Sequence, residues 1–289
     1  MKIKTLLLLG RTSNLPTVWT NMLAGAVLSG FVFGANTLGV LLVAGSAFYE
    51  GGMLLNDAFD AEIDAKQRPN RPIPSGQVAR STVYLLGFGL LSLGILLLTL
   101  GAGLRWVDGG PLTILAGAFT CAAILVYNRW HKGHAWSPIV MGACRAGLYA
   151  TAALAVSGQL SRDLLLGAAA LLLYIVGLTH IARFETGKAL DRAWVGLFVF
   201  APLLSALPAL VRAPAPLPVL CAVASFGWSL RSFGFALRGQ IPRAVVTLIA
   251  GVSLVDALFV ALHADPLLVL PLLAAFLLTL KWQQRIPGT

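Results

Sequence analysis

The chain has 289 residues, 58% hydrophobic and 11% charged, against about 45–50% and about 25% in an average soluble domain, and its mean hydropathy is +0.84. Such a composition excludes a globule solvated on all sides. The formal net charge of +10 would suit a nucleic acid partner, but the basic residues are scattered at the ends of apolar blocks and form no stripe or tail. That distribution excludes nucleic acid and matches loops that face anionic lipid headgroups.

The opening run MKIKTLLLLGRTSNLP has a leucine stretch about half as long as a signal-peptide core, interrupted by Arg11 without a small-residue cleavage site, so it is expected to be retained as an interfacial segment. Ten apolar blocks follow, near 15–34, 38–57, 82–103, 110–128, 136–157, 162–183, 192–212, 216–237, 243–263 and 265–282, and each reads as a transmembrane helix. The eighth is the weakest, because Ser229, Arg231 and Ser232 interrupt it, so nine to ten spans are expected. Sorted by alternating loops, seventeen of the 21 Lys and Arg fall on the side of the N-terminus; Arg105, Arg162 and Arg212 fall opposite, and Arg145 lies within a block. By the positive-inside rule the N-terminus and the loops after blocks 2, 4, 6 and 8 face the cytoplasm. Cys121, Cys144 and Cys221 lie inside apolar blocks without zinc or CxxC spacing and read as packing residues. With no soluble domain or long linker, residues 1–289 read as a single integral membrane domain, an all-α polytopic bundle.

Chemistry concentrates after block 2. Four of the eleven acidic residues fall in NDAFDAEID, residues 56–64. On a helix Asp57, Asp60 and Asp64 share one face, with Glu50 two turns back on roughly the same side, while Glu62 points elsewhere. Like charges stacked at the negative end of a helix dipole need a neutralising cation. Oxygen-only ligands suit a hard cation, and Mg2+, which shares its shell with phosphate, fits better than Ca2+ because the EF-hand spacing is absent. The loop that follows, KQRPNRPIPSG, supplies Lys66, Arg68 and Arg71, and carboxylates beside such a loop describe a diphosphate site. A solvated loop of mixed charge is the competing reading.

Asn56, Asp57, Asp60 and Asp64, followed by Arg68, Arg71, Pro72 and Pro74, resemble the first aspartate-rich motif of the UbiA family of intramembrane prenyltransferases, NDxxDxxxD followed by RP. The resemblance implies a helical bundle around a central lateral chamber, in which two polar motifs hold magnesium ions that bridge the diphosphate of an isoprenoid donor. GRTSNLPTVWTN resembles the family's first-span entry, where Arg11, Asn14 and Asn21 would face the polar cap; interhelical hydrogen bonding is the alternative for the two asparagines. YNRWHKG resembles the family's Tyr followed by a basic pair that contacts diphosphate. Tyr127 is present, His131 and Lys132 occupy the pair's positions, and Arg129 stands two residues after the tyrosine; a plain basic loop also explains Arg129 and Lys132. Arg145, charged within a span, requires a partner facing the bundle interior, for which a substrate phosphate or a carboxylate would serve.

The family's second motif, two or three aspartates near a tyrosine, should follow block 6. Here YIVGLTHIARFETGKALD offers Glu185 as its one well-placed carboxylate, with Asp191 farther along and Arg183 and Lys188 nearby, so the second metal site is depleted and basic side chains could meet the diphosphate directly. Polar motifs after spans 2 and 6 imply two four-helix halves facing each other. The TxIARFE-like run and GACR of block 5 resemble an EboC-like subgroup of the family.

The resemblance implies Mg2+-dependent transfer of a prenyl group from an isoprenoid diphosphate to a small aromatic or polar acceptor within a membrane, the bacterial inner membrane being expected. Metal ligands would be Asn56, Asp57, Asp60, Asp64 and Glu185, with Phe59, Tyr149 and Tyr174 available to face a carbocation. A terpene cyclase of the same architecture, acting on the diphosphate alone, is the alternative. A transporter fits less well, since coupling-ion sites belong near the bilayer midplane.

Overall fold

The computed structural model describes residues 3–30, 34–184, 194–286 and 288, and among them all regular structure is helical. In chain order the α-helices are α1 (Ile3–Leu9), α2 (Pro16–Leu28), α3 (Ala35–Gln67), α4 (Arg80–Gly103), α5 (Pro111–Trp130), α6 (Ser137–Ser157), α7 (Arg162–Ala182), α8 (Val195–Val199), α9 (Ala201–Arg212), α10 (Pro216–Leu237), α11 (Ile241–His263) and α12 (Val269–Gln283). Eight helices among the described residues are long and apolar enough to cross a membrane: α3 to α7, α10, α11, and α12 with the short turn that precedes it. The chain is therefore a multi-pass membrane protein.

Blocks 1 and 7 are the two that fall short of a full-length span. Block 1 yields the 13-residue α2, about 20 Å long at 1.5 Å per residue, because Ser29 and the positive-φ Gly30 end it. Block 7 divides at Phe200 into α8 and α9, with Pro202 placed in the first turn of α9 and Pro208 within it; a proline ring closes off the hydrogen bond a continuous helix would need. The eighth block is instead an unbroken helix of 22 residues. Its polar residues are absorbed: Ser232 Oγ donates to the Trp228 carbonyl at 2.8 Å, and the Arg231 guanidinium lies over the rings of Trp228 and Phe235.

Two large apolar cores, with a smaller cluster of Leu9, Leu54, Ala58, Val78 and Val83, organise the described residues. One gathers Val18, Met22, Phe48, Leu55, Leu91, Leu98 and Leu148 from α2 to α6; the other gathers Leu28, Leu171, Tyr174, Val199, Leu248, Leu258 and Leu272 from α2 and α7 to α12. Helices α2 and α6 serve both, since α2 is buried almost all round. Outward-facing Leu85, Leu115, Leu220 and Leu277 are more than half exposed, the pattern of a lipid-facing belt. In lipid, association rests on close packing more than on apolar burial, so small residues mark the contacts. A Cβ on Gly25 would lie 2.6 Å from the Tyr149 carbonyl oxygen, and one on Gly51 would lie 2.8 Å from that of Gly87.

Helix α3 positions the site. Its 33 residues span roughly 50 Å, against a hydrocarbon thickness of about 30 Å. The excess length allows its C-terminal turns, which carry the carboxylates, to continue as ordered helix beyond the apolar slab.

Candidate active site

Asp57, Asp60 and Asp64 are buried at 7%, 8% and 4% exposure, so the shared face turns inward and the solvated-loop reading fails. Glu62 lies on the opposite side, 81% exposed at its side chain and paired with Arg80 at 2.8 Å. Each buried carboxylate meets a cation. Arg11 Nη2 and Arg71 Nη1 approach Asp57 Oδ1 at 3.2 and 3.1 Å, and the same Arg71 nitrogen lies 2.8 Å from Asp64 Oδ2. Lys132 Nζ lies 2.9 Å from Asp60 Oδ1, with His131 Nε2 3.5 Å from Oδ2.

Arg11 adopts the left-handed backbone conformation, φ 45° and ψ 44°, which disfavours a side chain with a Cβ. That turn joins α1 to the segment before α2 and brings the guanidinium across to α3, where Nη2 also donates to Asn56 Oδ1 at 3.4 Å. Asn56 donates to Asn128 Oδ1, and Asn128 donates to the Gly52 carbonyl at 2.9 Å, fixing the start of the motif against α5. Arg71 returns to α3 because Arg68 ends the helix and Arg71, Ser75 and Gly76 make successive turns.

Beneath this cap is a cavity of about 310 Å³. Arg11, Arg68, Arg71, Asn14, Tyr127 and Arg145 line its polar part, and Phe48, Leu148, Ile175, Leu178, Val245 and Ile249 its apolar part. The carboxylates stand behind the guanidinium groups of Arg11 and Arg71. Tyr127 stacks on His131 with ring centroids 4.9 Å apart.

Several predicted residues, Asn14 on the cavity wall among them, are exposed or held by other parts of the chain. Lys66 is exposed and lines no part of the cavity. Arg129 is also exposed, stacked over Trp130. Asn14 is buried, donating to the Gly288 carbonyl and accepting from Gln283 Nε2. Asn21 is in the bundle core rather than at the cap. Arg183 donates to the His134 carbonyl at 2.7 Å and to Ser137 Oγ, tying the end of α7 to the loop before α6. Glu50 hydrogen-bonds the Thr12 side chain. Phe59 packs edge-on against Tyr84, and the Tyr149 and Tyr174 hydroxyls donate to Asp256 and to the Leu248 carbonyl, so all three aromatics are engaged in packing. Glu185, Lys188 and Asp191 lie outside the described residues.

The oxygen-only donor set fits Mg2+ in kind. Among the described residues no three carboxylate, imidazole or thiol groups converge as a ready-made cage, since Arg71 stands between Asp57 and Asp64. There Arg11 and Arg71 hold Asp57 Oδ1, and Arg71 holds Asp64 Oδ2. Neutralisation by the chain's own Arg11, Arg71 and Lys132 is the solution that sequence reasoning missed. It also missed Asp256, although a lone acid in the apolar run VSLVDALFV carries the same signal as Arg145.

A profile of the UbiA prenyltransferase family matches residues 14–236. The chain belongs to that family. Among UbiA-family relatives, digeranylgeranylglyceryl phosphate synthase of Metallosphaera sedula is 32% identical over 169 residues, 58% of this chain and 46% of the relative. Protoheme IX farnesyltransferase of Rhizobium johnstonii is 37% identical over 108 residues, 37% of this chain and 32% of the relative. The chain thus matches less than half the length of each. A solved structure concerned with digeranylgeranylglyceryl phosphate synthase in membranes aligns over 96% of this chain and 99% of its own at 17% identity and a TM-score of 0.59, a likeness of fold.

Proposed function

We propose that the protein transfers a prenyl group from an isoprenoid diphosphate to a small aromatic or polar acceptor inside the membrane, with Mg2+ as cofactor. The observation that carries this reading is a cavity lining in two parts, one of Arg11, Arg68 and Arg71 and one of Phe48, Leu148, Ile175 and Ile249. A diphosphate suits the first part and an isoprenoid chain the second.

In this reading Arg11, Arg68, Arg71 and Lys132 hold the diphosphate oxygens. Asp57, Asp60, Asp64 and the Asn56 carboxamide would hold Mg2+, which supplies further neutralisation of the leaving group. The allylic C–O bond breaks with its electron pair leaving on diphosphate, the acceptor's nucleophilic atom forms the new bond to the allylic carbon, and the proton that atom loses passes to the departing diphosphate. The apolar wall keeps water from capturing the cation first. The Arg11–Asp57 contact holds the N-terminal segment and the aspartate motif at one end of the bundle, and the basic residues gathered there support a cytoplasmic face for it; the membrane proposed is the bacterial inner membrane.

The test is diphosphate release from geranyl diphosphate by protein in nanodiscs supplied with a panel of small phenolic and polyol acceptors, with and without Mg2+. Release is expected in wild type and is expected to vanish in Asp57→Ala while size-exclusion profile and helicity are unchanged. Undiminished release in Asp57→Ala would remove the carboxylates from the mechanism. Conversion of the donor alone into a cyclic hydrocarbon or alcohol would make the protein a cyclase.

A further inference from the structure

Asp256 is the one carboxylate within the apolar run of α11, and it is fully buried. It lies beyond the residues matched to the family, 14–236. Its oxygens are surrounded by donors. Asn21 Nδ2 donates to both, at 3.1 and 2.9 Å, and the Tyr149 hydroxyl donates to Oδ1 at 2.5 Å. Both Asp256 oxygens accept from Asn21, so Asn21 turns its NH2 toward Asp256 and its carbonyl the other way. That carbonyl oxygen accepts from Arg145 Nη1 at 2.8 Å. Arg145 is half-buried on the cavity wall, its guanidinium carbon 5.7 Å from the centre of the Tyr49 ring. Among the described residues no carboxylate is ion-paired with it directly. One carboxamide therefore links a cation on the cavity wall to a carboxyl group in the core, across α6, α2 and α11.

We propose that Asp256 is a positioning residue: through the orientation it imposes on Asn21, it fixes the Arg145 guanidinium on the wall of the substrate cavity. The inference rests on the proposed function in taking that cavity to hold a prenyl diphosphate. With Asn at 256, an NH2 group would confront the Asn21 NH2. Turning Asn21 over to relieve this would present its NH2 to Arg145, and the cation would lose its acceptor.

The experiment measures the dissociation constant for geranyl diphosphate and the thermal midpoint of detergent-purified full-length variants. Asp256→Asn is expected to weaken binding about tenfold, the scale of one lost charge-assisted hydrogen bond, and to weaken it no further in a protein that already carries Arg145→Gln. The exchange Asn21→Asp with Asp256→Asn, which moves the carboxylate beside Arg145 and leaves an amide in its place, is expected to restore binding to within about twofold of wild type. A merely structural Asp256 would give additive losses in the double variant and no rescue by the exchange, and either result in a folded protein overturns the proposal. If wild type binds no geranyl diphosphate, the proposed function falls. The relay is then decided by the midpoints alone: Asp256→Asn and Arg145→Gln must shift them non-additively, and additive shifts overturn it.

Discussion

Lys132 Nζ sits 2.9 Å from Asp60 Oδ1, joining the loop after α5 to the middle carboxylate of α3. The contact brings the first aspartate motif and the basic motif two spans later into one site, which neither could form alone.

Because Lys132 pairs with Asp60 and no other described carboxylate, the two should fail differently. Asp60→Asn removes an oxygen anion from the site and is expected to lower diphosphate release from geranyl diphosphate by about 100-fold or more, the usual scale for one electrostatic group at a reacting centre. Lys132→Gln leaves that carboxylate in place with His131 nearby and is expected to cost about tenfold. Steady-state assays in nanodiscs compare them. Equal activity of Lys132→Gln and wild type would show that the pair only caps the loop.

Arg71 neutralises Asp57 and Asp64 together. Removing one partner of a buried ion pair costs on the order of 3 kcal/mol, because the remaining charge is stranded. Arg71→Gln should therefore lower the thermal midpoint in EDTA, and millimolar Mg2+ should recover more of the midpoint in the variant than it adds to wild type. Identical midpoints with and without Mg2+ in the variant would argue against these carboxylates as metal ligands.

Packing makes a prediction independent of catalysis. A Cβ on Gly25 meets the Tyr149 backbone, with its Cα at 2.7 Å, whereas one on Gly227 meets nothing within 4 Å. Gly25→Ala should force α2 away from α6 and destabilise by about 1–3 kcal/mol. Gly227→Ala, in the middle of α10, should be neutral or stabilising by up to about 1 kcal/mol. Thermal unfolding in one detergent compares the two; a stable Gly25→Ala would mean that this helix contact is looser than described.

The ten apolar blocks, the acid row on one face of α3 and the family were legible in the chain as written, because each depends on local order. A hydrocarbon layer sets the length of a span, and 3.6 residues per turn put positions 57, 60 and 64 side by side. The break of block 7 at Phe200 was not read from the chain, because its apolar composition outweighed Pro202 and Pro208. What the linear order could not decide was partnership. Asp60 finds its cation on another helix, and Asn21 joins Arg145 and Asp256 across separations of 124 and 235 residues. Lipid offers no hydrogen bonds, so every polar group inside it must find a partner in the protein. Which partner it finds is settled only by how the helices pack.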